Sequence, residues 1–543
     1  MIKGRITDGK LEYEVEKNYY EDDEVFIAID GKENAKDIKE LYEKYGEEFV
    51  KEIDGFFSTY LYDKKNNTLI LVKDKMGLKP IYYYLNNGNI YFGRNIMDIV
   101  KGYNINEEIN VDALSMYFRL HYINPPETIF KNIYKLQHGH YLVYKDNKLK
   151  DVIYWDVIDV YNKNSKMLIN NYDEAKKELN NKLSNFIKQI VNSNEKVGVY
   201  LSSGIDSSLT AALCSKYSEK QIDTYTVGFF EKDIDEASSS KKVAEFLKTN
   251  HHEIYVGEKE MLNNIKKIPE YYQEPFADPS ELPTIILNEY AKENDIKIAA
   301  TGDSGDQLFC GLRLYDTFWK IAQAKRIFNF LNININSEFI KKHRKLSYVY
   351  ANGDPRYKVQ CDIAYLERNL KGLFKDSGNK RFEEESRIET KNIQEKRMIL
   401  DLDKFIPNRI CIKQGTATNK NGIEIRSPYL NTEVIELSFK IPHKFKYHKR
   451  NKKYILKQIL YDYVPKEYFS NKKRGFVMPT KKWLKTALND DLKRVSTYEY
   501  VSKQNIFNYD ALQKILDRID DDEITMIIWD YYVFQLWYEK YMM

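Results

Sequence analysis

Cysteine is scarce in this sequence, with four cysteines among 543 residues. Cys214, Cys310, Cys361 and Cys411 show neither a CxxC pair nor the spacing of metal ligands, so a disulfide framework and a zinc site are not expected. No apolar run reaches the roughly 18 residues of a membrane span, and the amino terminus lacks the apolar stretch of a signal peptide. We therefore expect reduced, buried thiols, no membrane contact and a cytoplasmic location.

The sequence also lacks an excess of charge of either sign. Lys and Arg number 85 against 81 Asp and Glu, and the net charge of +4 does not favour nucleic acid as a partner. Proline and glycine are few, at 13 and 23, while 43% of the residues are hydrophobic, so the chain can bury a core and is not disordered as a whole. At about 150 residues per domain, the length predicts two to four domains.

Short aromatic and β-branched runs separated by turn residues fill residues 24–144. Residues 55–63, 68–74 and 80–84 are examples, with Asn87 and Gly88 at one of the turns. This pattern predicts a mainly antiparallel sheet domain. The stretch GFFSTYLYD followed by KDKMGLKPIYY resembles the amino-terminal glutaminase domain of asparagine synthetases and related amidotransferases, which implies an Ntn-hydrolase-like α+β fold for residues 1–150.

The residues that carry glutaminase chemistry in that family are missing. The family's mature chain begins with a cysteine whose α-amine acts as the base for its own thiol. Position 2 here is Ile2, and no cysteine precedes Cys214. Asp30, Gly31 and Lys32 replace the family's Asn-Gly-Glu segment, which holds glutamine. We therefore predict a degenerate glutaminase-like domain that does not hydrolyse glutamine and now serves as a docking or stabilising layer.

Strands alternate with helical patterns from Lys196 onward, which predicts βαβ units and a parallel sheet. The apolar strand 197–201 leads into the small-residue loop 202–208, and a helical pattern follows. Such a loop presents backbone N–H groups and a positive helix end to an anion. Neither a Walker A motif nor a dinucleotide fingerprint is present. The loop resembles the Ser-Gly-Gly-x-Asp-Ser signature of ATP pyrophosphatases, with Ser203 in place of the first glycine; a plain serine-rich helix cap is the alternative.

A second candidate loop, TGDSGDQLF at residues 301–309, follows the strand 296–300. Its carboxylates Asp303 and Asp306 would lie at the carboxyl edge of the sheet, where open α/β folds bind ligands. A solvated acidic turn is the alternative interpretation. The neighbouring His251 and His252 suggest a metal site, but no third ligand has a suitable spacing, so a structural role is favoured.

From about residue 24 to the end, the chain resembles the asparagine synthetase superfamily. The resemblance implies an α/β parallel-sheet ATP pyrophosphatase domain (adenine nucleotide alpha hydrolase-like) with a helical carboxyl-terminal part, over residues 170–543. It implies Mg²⁺ binding by Asp206 and Asp306, and catalysis by Asp303, Glu424 and Lys473. It also implies that ATP is bound by Leu201, Ser202, Ser203, Gly204, Asp206, Ser207, Val227, Thr301, Gly302 and Lys473.

Lys473 lies in the motif KKRGFVMP, at the position of the family's catalytic lysine, where a fixed cation would stabilise the charge on departing pyrophosphate. The segment 453–457 fits a family helix. Two departures concern the site: Gln307 replaces a glutamate, and Gln414 with Gly415 replaces the family's Asp-Arg pair.

The resemblance implies an ATP-dependent amide synthetase that forms AMP and pyrophosphate. Without glutaminase chemistry, we expect a cyclase of the lasso-peptide cyclase or β-lactam synthetase type. Its substrate would be a small molecule or peptide with a carboxylate and an amine, and a precursor peptide and a protease are the expected partners. An ammonia-dependent asparagine synthetase, a tRNA-modifying ATP pyrophosphatase and a catalytically silent partner protein remain alternatives. The acyl substrate, the amine and the oligomeric state stay open.

Overall fold

A computed structural model describes residues 2–230, 237–330, 370, 372–374, 387–469 and 478–543. Two antiparallel sheets come first, with the strand orders β2-β1-β8-β7-β9 and β11-β10-β6-β5-β4-β3. Their strands are β1 (Ile2–Thr7), β2 (Lys10–Val15), β3 (Tyr19–Glu21), β4 (Val25–Asp30), β5 (Ser58–Asp63), β6 (Thr68–Lys73), β7 (Tyr82–Asn86), β8 (Asn89–Gly93), β9 (Ile133–Lys135), β10 (His140–Lys145) and β11 (Lys148–Ile153). The helices among them are α1 (Ala35–Tyr45), α2 (Ile96–Val100) and α3 (Val111–Leu120), with a 3-10 turn at Gly46–Lys51.

The antiparallel sheet predicted from the aromatic runs is confirmed. Strands β5 and β6 are buried along their whole length because both faces of their sheet are covered. Leu61 and Ile70 pack with Ile38 of α1 on one face. Tyr60 and Leu71 pack against the other antiparallel sheet on the opposite face. Burial on both sides explains why these strands read as continuous apolar runs instead of alternating ones.

A parallel five-stranded sheet follows, with the order β14-β13-β12-β15-β16, as the alternation of strands and helices predicts. Its strands are β12 (Val197–Tyr200), β13 (Asp223–Phe229), β14 (Asn250–Val256), β15 (Ile298–Ala300) and β16 (Glu424–Arg426). The helices of this region are α4 (Val157–Asn164), α5 (Tyr172–Val191), α6 (Ile205–Tyr217), α7 (Ala237–Leu247), α8 (Glu258–Asn264), α9 (Lys267–Tyr272), α10 (Glu281–Glu293), α11 (Gly305–Leu308) and α12 (Arg313–Phe330). Because β12 pairs directly with β15, the loops that leave both strands emerge side by side at the carboxyl edge.

The remainder of the described chain is helical, as predicted. The π-helical segment Asp401–Ile410 joins α13 (Ile393–Leu400) to α14 (Cys411–Lys420), and 3-10 turns occur at Pro428–Leu430 and Lys466–Phe469. The later helices are α15 (Thr432–Lys440), α16 (His443–Lys446), α17 (Tyr454–Leu460), α18 (Thr480–Lys485), α19 (Asn489–Val495), α20 (Tyr498–Gln504), α21 (Tyr509–Leu516) and α22 (Asp522–Tyr541). Among the helices described, none combines the length and the apolar character needed to cross a bilayer.

Candidate active site

A cleft of about 570 Å³ lies at the carboxyl edge of the parallel sheet. The loops after β12 and β15 form one wall, and the π-helical segment with α14 forms the other. Residues of the segment 278–280 complete it. The volume falls within the range of about 300–1,000 Å³ that is typical of small-molecule sites. This position agrees with the rule that open α/β sheets bind ligands at the carboxyl ends of their strands.

The first loop turns tightly from β12 into α6. The Ser202 amide donates to Ser207 Oγ at 3.1 Å, and the Gly204 amide donates to Ser202 Oγ at 3.2 Å. Ser203 is not among the described residues with a left-handed backbone, so a serine is tolerated where the family has glycine. Ser202, Asp206 and Ser207 line the cleft. The start of a 13-residue helix thus faces the cavity, a geometry that favours a bound anion.

The second loop packs directly on the first. A methyl carbon placed on Gly302 would lie 2.6 Å from the backbone nitrogen of Ser207, so this close approach requires glycine. Thr301, Gly302, Asp303 and Asp306 all line the cleft, as the sequence predicts. The two predicted metal-binding carboxylates, one on each loop, therefore share one site.

Lys453 is the cation that joins these two carboxylates, and the sequence reasoning missed it. Its Nζ contacts the Asp206 carboxylate and lies 2.7 Å from Asp306 Oδ1. Burial alone would lower the pKa of Lys453, but the charges of Asp206 and Asp306 outweigh burial and raise that pKa above its ordinary value. Lys453 is therefore a fixed ammonium group. The sequence predicts only a helix for the segment 453–457, although the lysine that precedes this helix is its signal for a buried cation.

The donor set suits a hard divalent cation. Carboxylate oxygens are the ligands that Mg²⁺ takes, usually one or two of them together with substrate phosphates and water. Among the described residues, no cluster of three or more His, Cys, Asp and Glu side chains could enclose a metal by itself. Asp206 and Asp306 therefore fit Mg²⁺ that arrives with a phosphate ligand, and do not fit a closed structural metal centre.

The opposite wall carries positive charge that the sequence reasoning also missed. Arg409 Nε donates to Asp278 Oδ2 at 2.6 Å, and Lys413 Nζ donates to Ser280 Oγ at 2.6 Å. Burial would raise the pKa of Asp278, but Lys413 and Arg409 hold it well below its usual range. Two cations share this one carboxylate, so the wall formed by Arg409 and Lys413 is electropositive and suited to an anionic group.

Glu424, predicted to be catalytic, is not among the described residues that line the cleft. The parallel register pairs Glu424 with Ile298 at the start of β15, at the sheet edge opposite to the loops. Arg426 binds the Glu424 carboxylate through Nε at 2.9 Å and Nη2 at 3.0 Å. The motif gives the order of these residues, but the register decides at which end of the strand each one lies.

Five further predicted residues need separate placement. Among the residues described around the cleft, Leu201 and Val227 do not line it: Leu201 is 3% exposed in the core, and Val227 packs at the edge of another core cluster. Ser203 and Gly204 belong to the first loop without lining the cavity. Lys473 lies outside the described residues.

The paired histidines have structural contacts near the amino ends of β13 and β14. His252 Nε2 lies 3.1 Å from Asp223 Oδ1, and its ring stacks on Tyr225. His251 Nδ1 lies 2.9 Å from Thr224 Oγ1. Neither histidine lines the cleft described above.

In the antiparallel sheets, Asp30 of the segment that aligns with the family's Asn-Gly-Glu contacts two cations. Asp30 Oδ1 lies 3.2 Å from Lys79 Nζ, and Asp30 Oδ2 lies 2.9 Å from Arg94 Nε. Ile2 is a buried residue of β1 that pairs with Val15. The cysteines within the described residues are buried outside these sheets, and Cys361 is not described. Burial raises the pKa of the Cys214 thiol to about 12, which leaves it protonated at neutral pH.

Comparison with known proteins assigns this architecture to a family. Residues 178–539 match the family model of asparagine synthase, and residues 18–155 match the glutamine amidotransferase domain. The chain belongs to the asparagine synthase family. Membership of this family supports an ATP-dependent carbon–nitrogen ligase.

Two relatives illustrate the extent of the similarity. Asparagine synthetase (glutamine-hydrolyzing) 1 of Bacillus subtilis is 25% identical over 518 residues, which cover 92% of this chain and 79% of that protein. Putative asparagine synthetase (glutamine-hydrolyzing) 2 of Methanocaldococcus jannaschii is 31% identical over 325 residues, which cover 58% of this chain and 61% of that protein.

Proposed function

We propose that this asparagine synthase family member adenylates a substrate carboxylate for attack by an amine, releasing pyrophosphate and then AMP, without hydrolysing glutamine. The observation that carries the proposal is the contact of the buried Lys453 with Asp206 and Asp306, two carboxylates that line a cleft large enough for a nucleotide and an acyl substrate. Two turns that each follow a parallel strand supply the carboxylates, and a buried cation links them.

Each residue has a defined task in this proposal. The amides of the first loop and the start of α6 would hold phosphate oxygens, and Asp206 with Asp306 would hold Mg²⁺. Mg²⁺ would neutralise phosphate charge when bound. A carboxylate oxygen attacks the α-phosphorus, the bond from that phosphorus to the bridging oxygen breaks, and pyrophosphate leaves with the electron pair. The Lys453 ammonium is placed to stabilise the charge that grows on the departing oxygens.

The amine then attacks the acyl carbon, AMP departs with the electrons of the acyl–oxygen bond, and the proton that the nitrogen loses passes to solvent. Arg409 and Lys413 supply positive charge on the wall facing the two loops, where a substrate anion can be held. When the two walls hold the acyl group and the amine side by side, their reaction becomes effectively unimolecular. This positioning supplies much of the rate enhancement.

The contacts within the antiparallel sheets bear on which molecule supplies the nitrogen of the amide. Asp30 is held by Lys79 and Arg94, and the described thiols are buried elsewhere, which supports loss of glutamine hydrolysis. An amine already on the substrate then replaces glutamine, as in cyclases of the lasso-peptide or β-lactam synthetase type. In such a system, a precursor peptide and a protease would be the partners. The second candidate is an ammonia-dependent asparagine synthetase. The names of the relatives favour asparagine as the product, although those names specify glutamine hydrolysis.

The test measures pyrophosphate release by the full chain with magnesium-ATP. L-aspartate is supplied with ammonium, with L-glutamine or with neither, and linear peptides with an acidic side chain and a free α-amine form a second series. We expect release with a peptide and no glutamate from glutamine. Robust asparagine formation from ammonium would establish the second candidate. Glutamate release would overturn the loss of glutaminase, and failure to bind magnesium-ATP in calorimetry would overturn adenylation itself.

A further inference from the structure

A compact turn of the antiparallel region, residues 74–79, projects toward the cleft-forming helices. The buried carboxylate of Asp74 accepts hydrogen bonds from the amides of Met76, Gly77, Leu78 and Lys79, at 2.6 to 3.2 Å. These bonds fix the backbone from within, because four consecutive amides share one acceptor group. The 74–79 turn is therefore a rigid structure.

The backbone of the 74–79 turn is in close contact with α14. A methyl carbon placed on Gly415 would lie 2.4 Å from the carbonyl oxygen of Leu78, a backbone atom that cannot rotate away. Four residues further along α14, Asn419 accepts a hydrogen bond from Lys79 Nζ. Met76 and Leu78 belong to the same core cluster as Ile406 of the π-helical segment. The turn is thus inserted into the core of the ATP-dependent half of the molecule.

The opposite side of α14 faces the cleft. Residues two apart in an α-helix point in nearly opposite directions, at about 100° per residue, whereas residues four apart share a face. Gly415 and Asn419 therefore lie on the face that contacts the 74–79 turn. Lys413 and Gln414 line the cleft, and Lys413 donates to Ser280 there. Any displacement of α14 away from the turn would move Lys413 relative to Ser280.

We propose that Gly415 is a positioning residue, and that through it the 74–79 turn of the degenerate glutaminase-like region sets the place of Lys413 in the cleft. The inference rests on the proposed function in so far as the cleft is the active site. It gives the antiparallel region a present task, since the region fixes one wall of the ligase cleft without chemistry of its own. It also explains why a glycine is required at the position where the resemblance predicts a larger side chain.

The test is Gly415→Ala in the full chain, read by acetylation of individual lysines with an isotope-coded anhydride and mass spectrometry. Alanine is a better helix former than glycine, so α14 by itself would be stabilised. Overpacking against Leu78 forces a backbone shift. We expect Lys413 to be acetylated about fivefold faster than in the unmodified chain, the scale of a shift that overpacking produces. The acetylation rate of Lys453, on the other wall, should stay unchanged.

Gly257→Ala is the matched control, because that glycine has a φ of −96° and a methyl carbon there meets Phe230 only at the ordinary contact distance of 3.5 Å. It should leave the Lys413 rate as it is. Equal acceleration of Lys413 and Lys453, or no acceleration of Lys413, would overturn the proposal. If Gly415→Ala does not fold, Asn419→Ala removes the Lys79 contact without steric conflict, and it should accelerate Lys413 by about twofold, the scale of one hydrogen bond.

Binding of magnesium-ATP separates this inference from the proposed function. Calorimetry should give the same Kd for Gly415→Ala and the unmodified chain within a factor of about two, because the nucleotide loops lie on the other wall. An unmodified chain that does not bind magnesium-ATP would refute the proposed function, while the lysine rates would still test the role of Gly415. A large loss of nucleotide affinity in Gly415→Ala alone would refute the separation of the two walls and so this inference.

Discussion

Two clusters of three charged residues, each partly buried, differ in what they face. In the antiparallel region, Asp30 lies between the cations of Lys79 and Arg94. Beside the cleft, Lys453 lies between the carboxylates of Asp206 and Asp306. The first cluster joins a strand to a turn that contacts α14, whereas the two carboxylates of the second line a ligand-sized cavity. The comparison teaches that the charges of the first cluster neutralise one another within the fold, whereas the carboxylates of the second are directed at a space that a ligand can occupy.

Two buried lysines, one in each region, differ in the direction in which their pKa is shifted. Burial lowers the pKa of Lys73, at the base of the antiparallel region, to about 8. Lys453 is buried as deeply, yet two carboxylates keep its pKa above the ordinary value. Lys73 can lose its proton without consequence for the cleft, whereas the role proposed for Lys453 requires it to stay protonated.

The largest effect is expected from Lys453→Ala. Removal of the ammonium leaves Asp206 and Asp306 facing each other and removes charge stabilisation from the transition state. Pyrophosphate release should fall by about 10²–10³-fold, as for other preorganised charge stabilisers. Lys452→Ala is the control, since Lys452 Nζ lies 3.4 Å from Asp316 on the outer side. Similar losses in both variants would contradict a specific role for Lys453.

Next in size is the effect of Asp306→Asn on the magnesium requirement. The amide keeps the shape of the side chain but not its charge. The Mg²⁺ concentration for half-maximal pyrophosphate release should rise by about tenfold or more. Loss of a residue that only hydrogen-bonds to a metal ligand already lowers metal affinity by about that factor. Asp316→Asn, a carboxylate outside the cleft lining, should leave the titration unchanged. A titration curve for Asp306→Asn that matches the unmodified chain would remove Asp306 from the metal site.

Lys73→Met tests the lowered pKa of the buried Lys73 through the pH dependence of stability. The pKa of Lys73 is lowered in the folded chain, so between about pH 8 and 10.5 the unfolded chain binds more protons and stability rises with pH. The free energy of unfolding should gain about 3 kcal/mol over this window from Lys73. In denaturant titrations, Lys73→Met should lose the part of the rise in stability with pH that Lys73 contributes. Lys446→Met should lose the part that Lys446 contributes and should keep the part from Lys73. Identical slopes with and without Lys73 would contradict the assignment.

The smallest effect on turnover is expected from Glu424→Gln. Glu424 lies at the sheet edge away from the cleft, so pyrophosphate release should stay within a factor of about two. Stability should fall by about 1 kcal/mol, because Arg426 loses a charged partner that is partly exposed to water. A loss of activity on the scale of Asp306→Asn would restore the role that the sequence motif implies for Glu424.

Local signals explain which parts of this molecule were predictable. A strand, a small-residue loop and a helix start are contiguous, so both cleft loops and the carboxylates Asp206 and Asp306 could be placed from sequence. Lys453, Arg409 and Lys413 come from distant segments whose approach depends on tertiary packing, and no short motif records it. The position of Glu424 at the start of its strand could not be predicted, because a motif gives order without register. The close contact of Gly415 with Leu78 joins residues more than 300 positions apart and has no local signature.

Phosphorus NMR of the reaction with a substrate whose carboxylate carries ¹⁸O tests the central claim most directly. If the chain adenylates that carboxylate in the cleft of Asp206, Asp306 and Lys453, magnesium-ATP yields equal amounts of AMP and pyrophosphate. One ¹⁸O atom then appears in AMP, and Lys453→Ala suppresses both products. Formation of ADP and phosphate, or AMP without the label, would contradict the account.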